Sequence, residues 1–280
     1  MSEQLLVVVD PVARRTDGES VRIAKDVLSA GAATKVCLPG DAEEFARALT
    51  RRGSRRPVVI GDDRSLVRAV SLLHRRRELS GCALSVVPVG PYLSVARSLG
   101  VPTGTVAAAR AVLEGRERRL DVLVDDSDGV VLGALRIPSV PLTPSCGPGE
   151  AGEAAGARPW LRTCQSLVRT LVPARPQRVA PAPAPAPPRL RIEVDGETLV
   201  DLGQPLEAVS VAPGAAGLAD VEVRPLSVGA EASPLLARGR RVTVSGPDFR
   251  YRADAGEAGP VRRRTWTVWE GALGLVLPEG

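Results

Sequence analysis

Residues 57–66 read PVVIGDDRSL. A short apolar run, Val58 to Ile60, meets Gly61 and two adjacent carboxylates, Asp62 and Asp63. Arg64, Ser65 and a helical pattern follow. A glycine between a strand and a helix is where α/β proteins often hold phosphate, because the helix N-terminus presents backbone N–H groups to an anion. Phosphate loops use several glycines, however, and two neighbouring carboxylates oppose a phosphate. Three readings stay open from these ten residues: a phosphate loop, an altered one, or an acidic turn.

Working outward, the first 125 residues alternate strand and helix patterns. LLVVV (5–9) is a buried strand, and residues 19–30 put Val21, Ile23, Ala24, Val27 and Leu28 on one helical face. TKVCL (34–38) is a second strand. Asp41 with Glu44 three residues on forms a capping box for a helix through Thr50. PVVIG is the third strand and leads into a helix from Ser65 to about Arg76. ALSVVP (83–88), helices around 94–99 and 103–114, and LDVLV (120–124) complete the run. Strands separated by helices imply a mostly parallel sheet covered on both faces. In such a sheet ligands collect at the carboxyl ends of the strands. The loops to examine are therefore DPVARRT, GDDRS and PVGPYLS.

The pattern then changes. Residues 143–159 are loop-like, WLRTCQSLVRTLV (160–172) carries an apolar helical stripe, and VAPAPAPAPP (179–188) is an extended Pro/Ala segment. From Arg189 the chain reads as β. LRIEVDGETLV has the Asp-Gly of a hairpin, and short strands follow at 206–212, 219–224, 240–244, 265–269 and 273–277. The predicted organisation is an α/β domain over 1–125, connecting loops and a helix over 126–188, and an all-β, sandwich-like second domain over 189–270. A tail, 271–280, is placed against the first domain.

Composition removes several function classes. Apolar residues make up 44% and charged residues 25%, the balance of a soluble globular protein. The net charge of +5 comes from Arg spread along the chain, with lysine only at 25 and 35. No basic block interleaved with aromatics is present, which argues against nucleic acid as a partner. Cys37, Cys82, Cys146 and Cys164 are irregularly spaced and His74 is the only histidine, so zinc is not expected. No apolar run approaches 18 residues and no signal peptide precedes LLVVVD, so a cytoplasmic location is expected, or a peripheral one at a membrane surface. His74 is expected to cap a helix or lie exposed, and Trp266 and Trp269 to pack in a strand.

The three loops, in this order and spacing, resemble those of bacterial diacylglycerol kinase-like lipid kinases, relatives of NAD kinase. That family carries Asn-Pro after its first strand, Gly-Gly-Asp-Gly-Thr after its third, and Pro-Leu-Gly-Thr-Gly-Asn-Asp-Phe-Ala-Arg next. The matching stretches here are Asp10-Pro11, Gly61-Asp62-Asp63-Arg64-Ser65, and Pro88-Val89-Gly90-Pro91-Tyr92-Leu93-Ser94-Val95-Ala96-Arg97. Asp121 stands in the family's Arg-x-x-Asp strand. VAPGAAGLADVEV and EGALGLVLP are similar to landmarks of its β-rich domain. The resemblance implies a nucleotide cleft between two domains, ATP phosphates on the glycine-rich loop, Mg2+, and transfer of the γ-phosphoryl to a lipid hydroxyl. Such transfer depends on positioning and charge neutralisation.

The resemblance also implies where this chain departs. Asp62 stands at the second glycine and brings a carboxylate toward the phosphates, at a cost of ~1–4 kcal/mol for like charges about 4 Å apart. Arg64 replaces the next glycine, and Pro91-Tyr92-Leu93 replaces Thr-Gly-Asn. Asp10 replaces an Asn in a chain that contains none. Asp10, Gly61, Asp62, Asp63, Arg64, Ser65 and Gly90 are thus the nucleotide-site candidates. Of the family's metal-holding stretch only Asp220 remains acidic within Ala215–Asp220. The base motif reads Asp254-Ala255-Gly256-Glu257, with one residue inserted, which is expected to swing Asp254 away into a solvated turn unless a bulge or turn compensates. Asp254 and Glu257 are the catalytic candidates. The expectation is a lipid-kinase fold with a degenerate site, acting in binding or regulation. The alternatives are an active, divergent kinase using ATP and Mg2+, and a lipid-binding module without nucleotide. A homodimer is left open.

Overall fold

The computed structural model of the chain describes residues 4–139, 187–226 and 233–279. The apolar helix at 160–172 and nearly all of the Pro/Ala segment lie outside them.

The first strand, β1 (Gln4–Val9), is central in a parallel sheet and pairs on one side with β2 (Ala33–Cys37) and on the other with β3 (Arg56–Gly61). β4 (Ala83–Pro88) extends the sheet from β3, also in parallel. Residues 5–9 are apolar without a break because both faces of the strand are covered. Leu5, Val7 and Val9 pack with Val21, Leu28, Ala108 and Val112, whereas Leu6 and Val8 pack with Phe45, Leu49, Leu66 and Leu73. These partners come from α2 (Gly18–Gly31) and α6 (Thr105–Glu114) on one face, and α3 (Ala42–Thr50) and α4 (Asp63–Arg75) on the other. Two short helices, α1 (Pro11–Thr16) and α5 (Ser94–Ser98), follow β1 and β4 directly. At the start of α3 the Asp41 carboxylate accepts from Glu44 N at 2.8 Å. The return bond from Glu44 goes to Gly40 N rather than to Asp41 N, one residue off the reciprocal box.

The second half is antiparallel. The path runs β12 (Leu235–Gly239), β11 (Ala219–Pro225), β10 (Leu206–Pro213), β7 (Leu135–Ile137), β13 (Arg241–Ala253) and β14 (Gly256–Leu277). β5 (Arg116–Asp125) lies along β14 and carries β6 (Val130–Val131). β8 (Arg191–Val194) lies along β13 and carries β9 (Glu197–Val200). Asp195 and Gly196, with φ of 51° and 90°, make the hairpin turn that the Asp-Gly pair predicts. Val209, Val211, Val223, Val242, Val244 and Trp266 fill the core of this half.

Residues 265–269 and 273–277, expected as separate strands, are parts of one strand. β14 bends at Gly271, where φ is 56°, and its register against β5 shifts between Trp269 and Leu273. Beyond the bend, Gly274 and Leu275 pair in parallel with Ala83 and Leu84 of β4. β14 thereby joins the antiparallel half to the parallel sheet. The β13–β14 turn, residues 254–255, comes back against the connection between β6 and β7, where Asp254 N donates to Ala134 O at 3.1 Å.

Candidate functional site

The carboxyl ends of β1, β3 and β4 bring the three candidate loops side by side, and each loop is organised by a carboxylate. Asp10, 3% exposed, caps α1: one oxygen accepts from Val12 N at 2.7 Å and Ala13 N at 3.4 Å. Its other oxygen accepts from Arg68 Nη1 at 3.1 Å. Asp62, also buried, caps α4 in the same way, accepting from Arg64 N at 3.1 Å and Ser65 N at 3.3 Å. Ser65 turns its hydroxyl inward to Asp62 O at 2.7 Å. The loops touch: a Cβ on Gly61 would lie 2.8 Å from Asp10 Cβ, and one on Gly90 would lie 3.0 Å from Asp62 Cβ. Gly90, with φ of 131°, also has a backbone that side chains avoid. Burial pushes the Asp62 carboxyl above the usual range, and the Asp10 charge adds to the effect.

Arg64 leans away from its own helix end, its guanidinium 4.5 Å from the centre of the Tyr92 ring. Tyr92 O in turn accepts from Asp63 N at 2.8 Å, which ties the β4 loop to the β3 loop.

Asp63 and Asp254 form a second group. Asp63, 1% exposed, accepts from Val95 N and Ala96 N, both at 2.9 Å, and from Ser94 Oγ at 3.1 Å. Its carboxylate therefore holds the first turn of α5. The Asp254 side chain is buried, accepting from Leu132 N and Gly133 N, both at 2.7 Å. Its backbone φ of 48° belongs to a two-residue turn between Ala253 and Gly256. The expectation that the inserted residue swings Asp254 into solvent is corrected here: the turn absorbs the extra residue and points the carboxyl inward. Desolvation raises the Asp254 pKa to about 6, and the charge of Asp63 contributes in the same direction. Asp63 is raised as well, chiefly by burial.

Residues 4–124 match the diacylglycerol kinase catalytic domain family. That match covers less than half of the chain. The fold likeness extends beyond it. A protein from Bacillus anthracis str. Sterne assigned as a diacylglycerol kinase superposes with a TM-score of 0.70, covering 99% of this chain and 97% of that one at 14% identity. Two further structures from that organism, carrying the same assignment or named a diacylglycerol kinase, give 0.69 and 0.66 over the same shares and at the same identity. At that identity the likeness shows the fold. No curated protein matches the chain.

Within this kinase-type fold the remaining candidates stand apart from the Asp63–Asp254 group. Glu257 is on the exposed side of the β13–β14 hairpin, 3.8 Å from Arg250 and 3.6 Å from Arg252. The alternation of a strand explains this, since Glu257 sits in regular pairing opposite Arg252. Asp220 points to the surface of β11 and pairs with Arg238 at 2.6 Å.

Four features escaped the sequence. The donors to Asp254 are main-chain groups of Leu132 and Gly133, which carry no side-chain signal. Arg68 reaches Asp10 from the second turn of α4, a contact between loops 58 residues apart. Asp121 accepts from Gly217 N at 2.8 Å and Gly271 N at 2.7 Å, and so ties the loop before β11 to the bend in β14. His74 is buried rather than exposed, with Nε2 2.6 Å from Asp128 Oδ1. The run His74–Arg77 at the helix end gives no local sign of that partner, which lies 54 residues away.

Proposed function

We propose that this chain is a lipid kinase-fold protein whose nucleotide-phosphate site is occupied by its own carboxylates, and that it acts in binding or regulation rather than in robust phosphoryl transfer. One observation carries the reading. The N–H groups of Arg64 and Ser65, the donors at the N-terminus of α4, are taken by the Asp62 carboxylate. Asp10 does the same for α1, and its charge is close enough to push the Asp62 carboxyl further up. ATP and Mg2+, which this kinase type implies, do not fit such residues. An incoming triphosphate would have to displace two caps and lie against their charges, with Arg64 already stacked on Tyr92.

Calorimetric titration of the purified protein with ATP, with and without magnesium, tests the reading. The expected result is no heat and no thermal stabilisation at millimolar ATP. Micromolar, magnesium-dependent binding would overturn it.

A second reading rests on Asp254. Its carboxyl is buried, oriented by two backbone donors and titrates at about 6, which suits a general base. If this chain is an active, divergent kinase, Asp254 would accept the proton of a lipid hydroxyl. Turnover of Mg-ATP on diacylglycerol in mixed micelles, abolished in Asp254→Asn, would establish that reading; absence of turnover removes it.

A further inference from the structure

At the opposite end of α4 from Asp62 and Asp63 lies a cavity of about 410 Å³, open to solvent, lined among others by His74, Arg75, Arg77, Ser80, Asp128 and Trp269. The helix between them has 13 residues, so about 20 Å separates the two ends. The volume is that of a small-molecule site. Its wall is built from three kinds of group.

The first is an aromatic face. Trp269 is 48% exposed, unlike the fully buried Trp266. The His74 ring meets it nearly edge-on, with centroids 4.9 Å apart at 65°, and His74 is itself fixed by Asp128. The indole is thus held in place while part of it stays open to solvent.

The second is a pair of cations. Arg75 is the last residue of α4, and among the described residues neither Arg75 nor Arg77 has an ion-pair partner. Asp128 is the acidic residue of the wall, and one of its oxygens is engaged by His74.

The third is a backbone position that disfavours the residue it carries. Arg77 has φ of 58° and ends the helix, with Arg77 N donating to His74 O at 2.8 Å and Glu78 N to Leu73 O at 2.9 Å. Glycine is the usual residue there. An arginine is held in strained backbone at the mouth of the cavity.

We infer that this cavity binds a small planar anion: an aromatic ring stacked on Trp269, with a phosphate or carboxylate held by Arg75 and Arg77. Stacking uses the exposed indole face, and the guanidinium forks suit both anions.

Phenyl phosphate is the probe, titrated calorimetrically into the full chain. Saturable binding is expected, with inorganic phosphate at least about tenfold weaker because it lacks the ring. Arg75→Ala and Arg77→Gly should each weaken phenyl phosphate about tenfold or more, the effect of one charge-assisted hydrogen bond. Arg77→Gly should at the same time raise Tm, since glycine relieves the positive φ, so lost binding cannot be ascribed to misfolding. Absence of saturation at millimolar probe overturns the assignment. So does binding unchanged in both arginine variants, or inorganic phosphate binding as tightly as phenyl phosphate.

Discussion

Two pairs of aspartates, three of them after β1 and β3 and the fourth in the β13–β14 turn, are used in opposite ways. Asp10 and Asp62 turn back on their own chain and cap the helices that follow them. Asp63 and Asp254 reach outward to other segments: Asp63 to the start of α5, and Asp254 to the Leu132–Gly133 backbone more than 120 residues away. On the function proposed above, local capping fills the place where a phosphate would sit. Long-range capping joins segments within each half, Asp63 tying α4 to α5 and Asp254 tying the β13–β14 turn to the β6–β7 connection. Four carboxylates of one residue type thus divide into a pair that caps its own helices and a pair that binds other segments. Each substitution below is chosen to weaken that division or make it sharper.

The largest effect is expected at Asp63. Asp63→Ala leaves Val95 N, Ala96 N and Ser94 Oγ without their acceptor in a buried setting. Leaving such donors unpaired costs ~1–3 kcal/mol each, so the loss should be on the order of 4 kcal/mol after partial relaxation. Urea denaturation should show it as a lower midpoint. A loss under ~1 kcal/mol would mean that Asp63 is not structural and that the contrast with Asp62 fails.

Asp254 comes next, and its signature is a pH dependence. The folded-state pKa of about 6 lies above the ordinary carboxylate value of 3.8. The folded protein therefore holds this proton more tightly than the unfolded chain. Its contribution to stability is largest below about pH 4, declines as pH rises toward 6, and is lost above that. The shift corresponds to roughly 3 kcal/mol over the window. In Asp254→Asn this contribution should disappear, leaving those of the same sign from Asp62 and Asp63. Parallel Tm-against-pH curves for the two proteins would show that Asp254 is not titrating in that range.

Much of this molecule was legible in its sequence, and the parts that were not have a common cause. The parallel sheet followed from uninterrupted apolar runs such as Leu5–Val9, because a strand covered on both faces has no polar side to hide. The 195–196 hairpin followed from an Asp-Gly pair at positive φ. Local signals of this kind carry their own geometry. The inward turn of Asp254 does not, because the residue inserted before Gly256 can either displace a carboxyl or be absorbed by a two-residue turn. Pairing of β13 with β14 decides between them, and its partners are main-chain groups. The same holds for β14, where the pattern breaks at Gly271 although the strand continues. His74 likewise reveals nothing of Asp128. What a sequence conceals here is long-range bonding to backbone, which any residue can supply.

Asp62 and Arg64 offer the reverse experiment. Asp62→Gly with Arg64→Gly frees the N–H groups at the start of α4, at a cost of a few tenths of a kcal/mol for the cap and up to about 1 kcal/mol for glycine in the first turn. Binding of Mg-ATP should then rise at least tenfold over the parent in calorimetry. No gain in affinity would show that the Asp62 cap is not what closes the site.

The smallest effect is expected outside both pairs. Glu257 stands with Asp254 in the stretch that resembles the family's base motif, yet its carboxylate is held loosely by Arg250 and Arg252 at 3.6–3.8 Å on an exposed strand. Exposed ion pairs of that kind contribute ~0–1 kcal/mol, because solvent screens them and holding long side chains has an entropy cost. Glu257→Gln should therefore shift the urea midpoint by no more than about 0.5 kcal/mol and leave the pH profile of stability superimposable on the parent. A midpoint shift as large as that of Asp254→Asn would instead mean that the hairpin is anchored from its outer face, and that the burial of Asp254 follows from Glu257 rather than from Leu132 and Gly133.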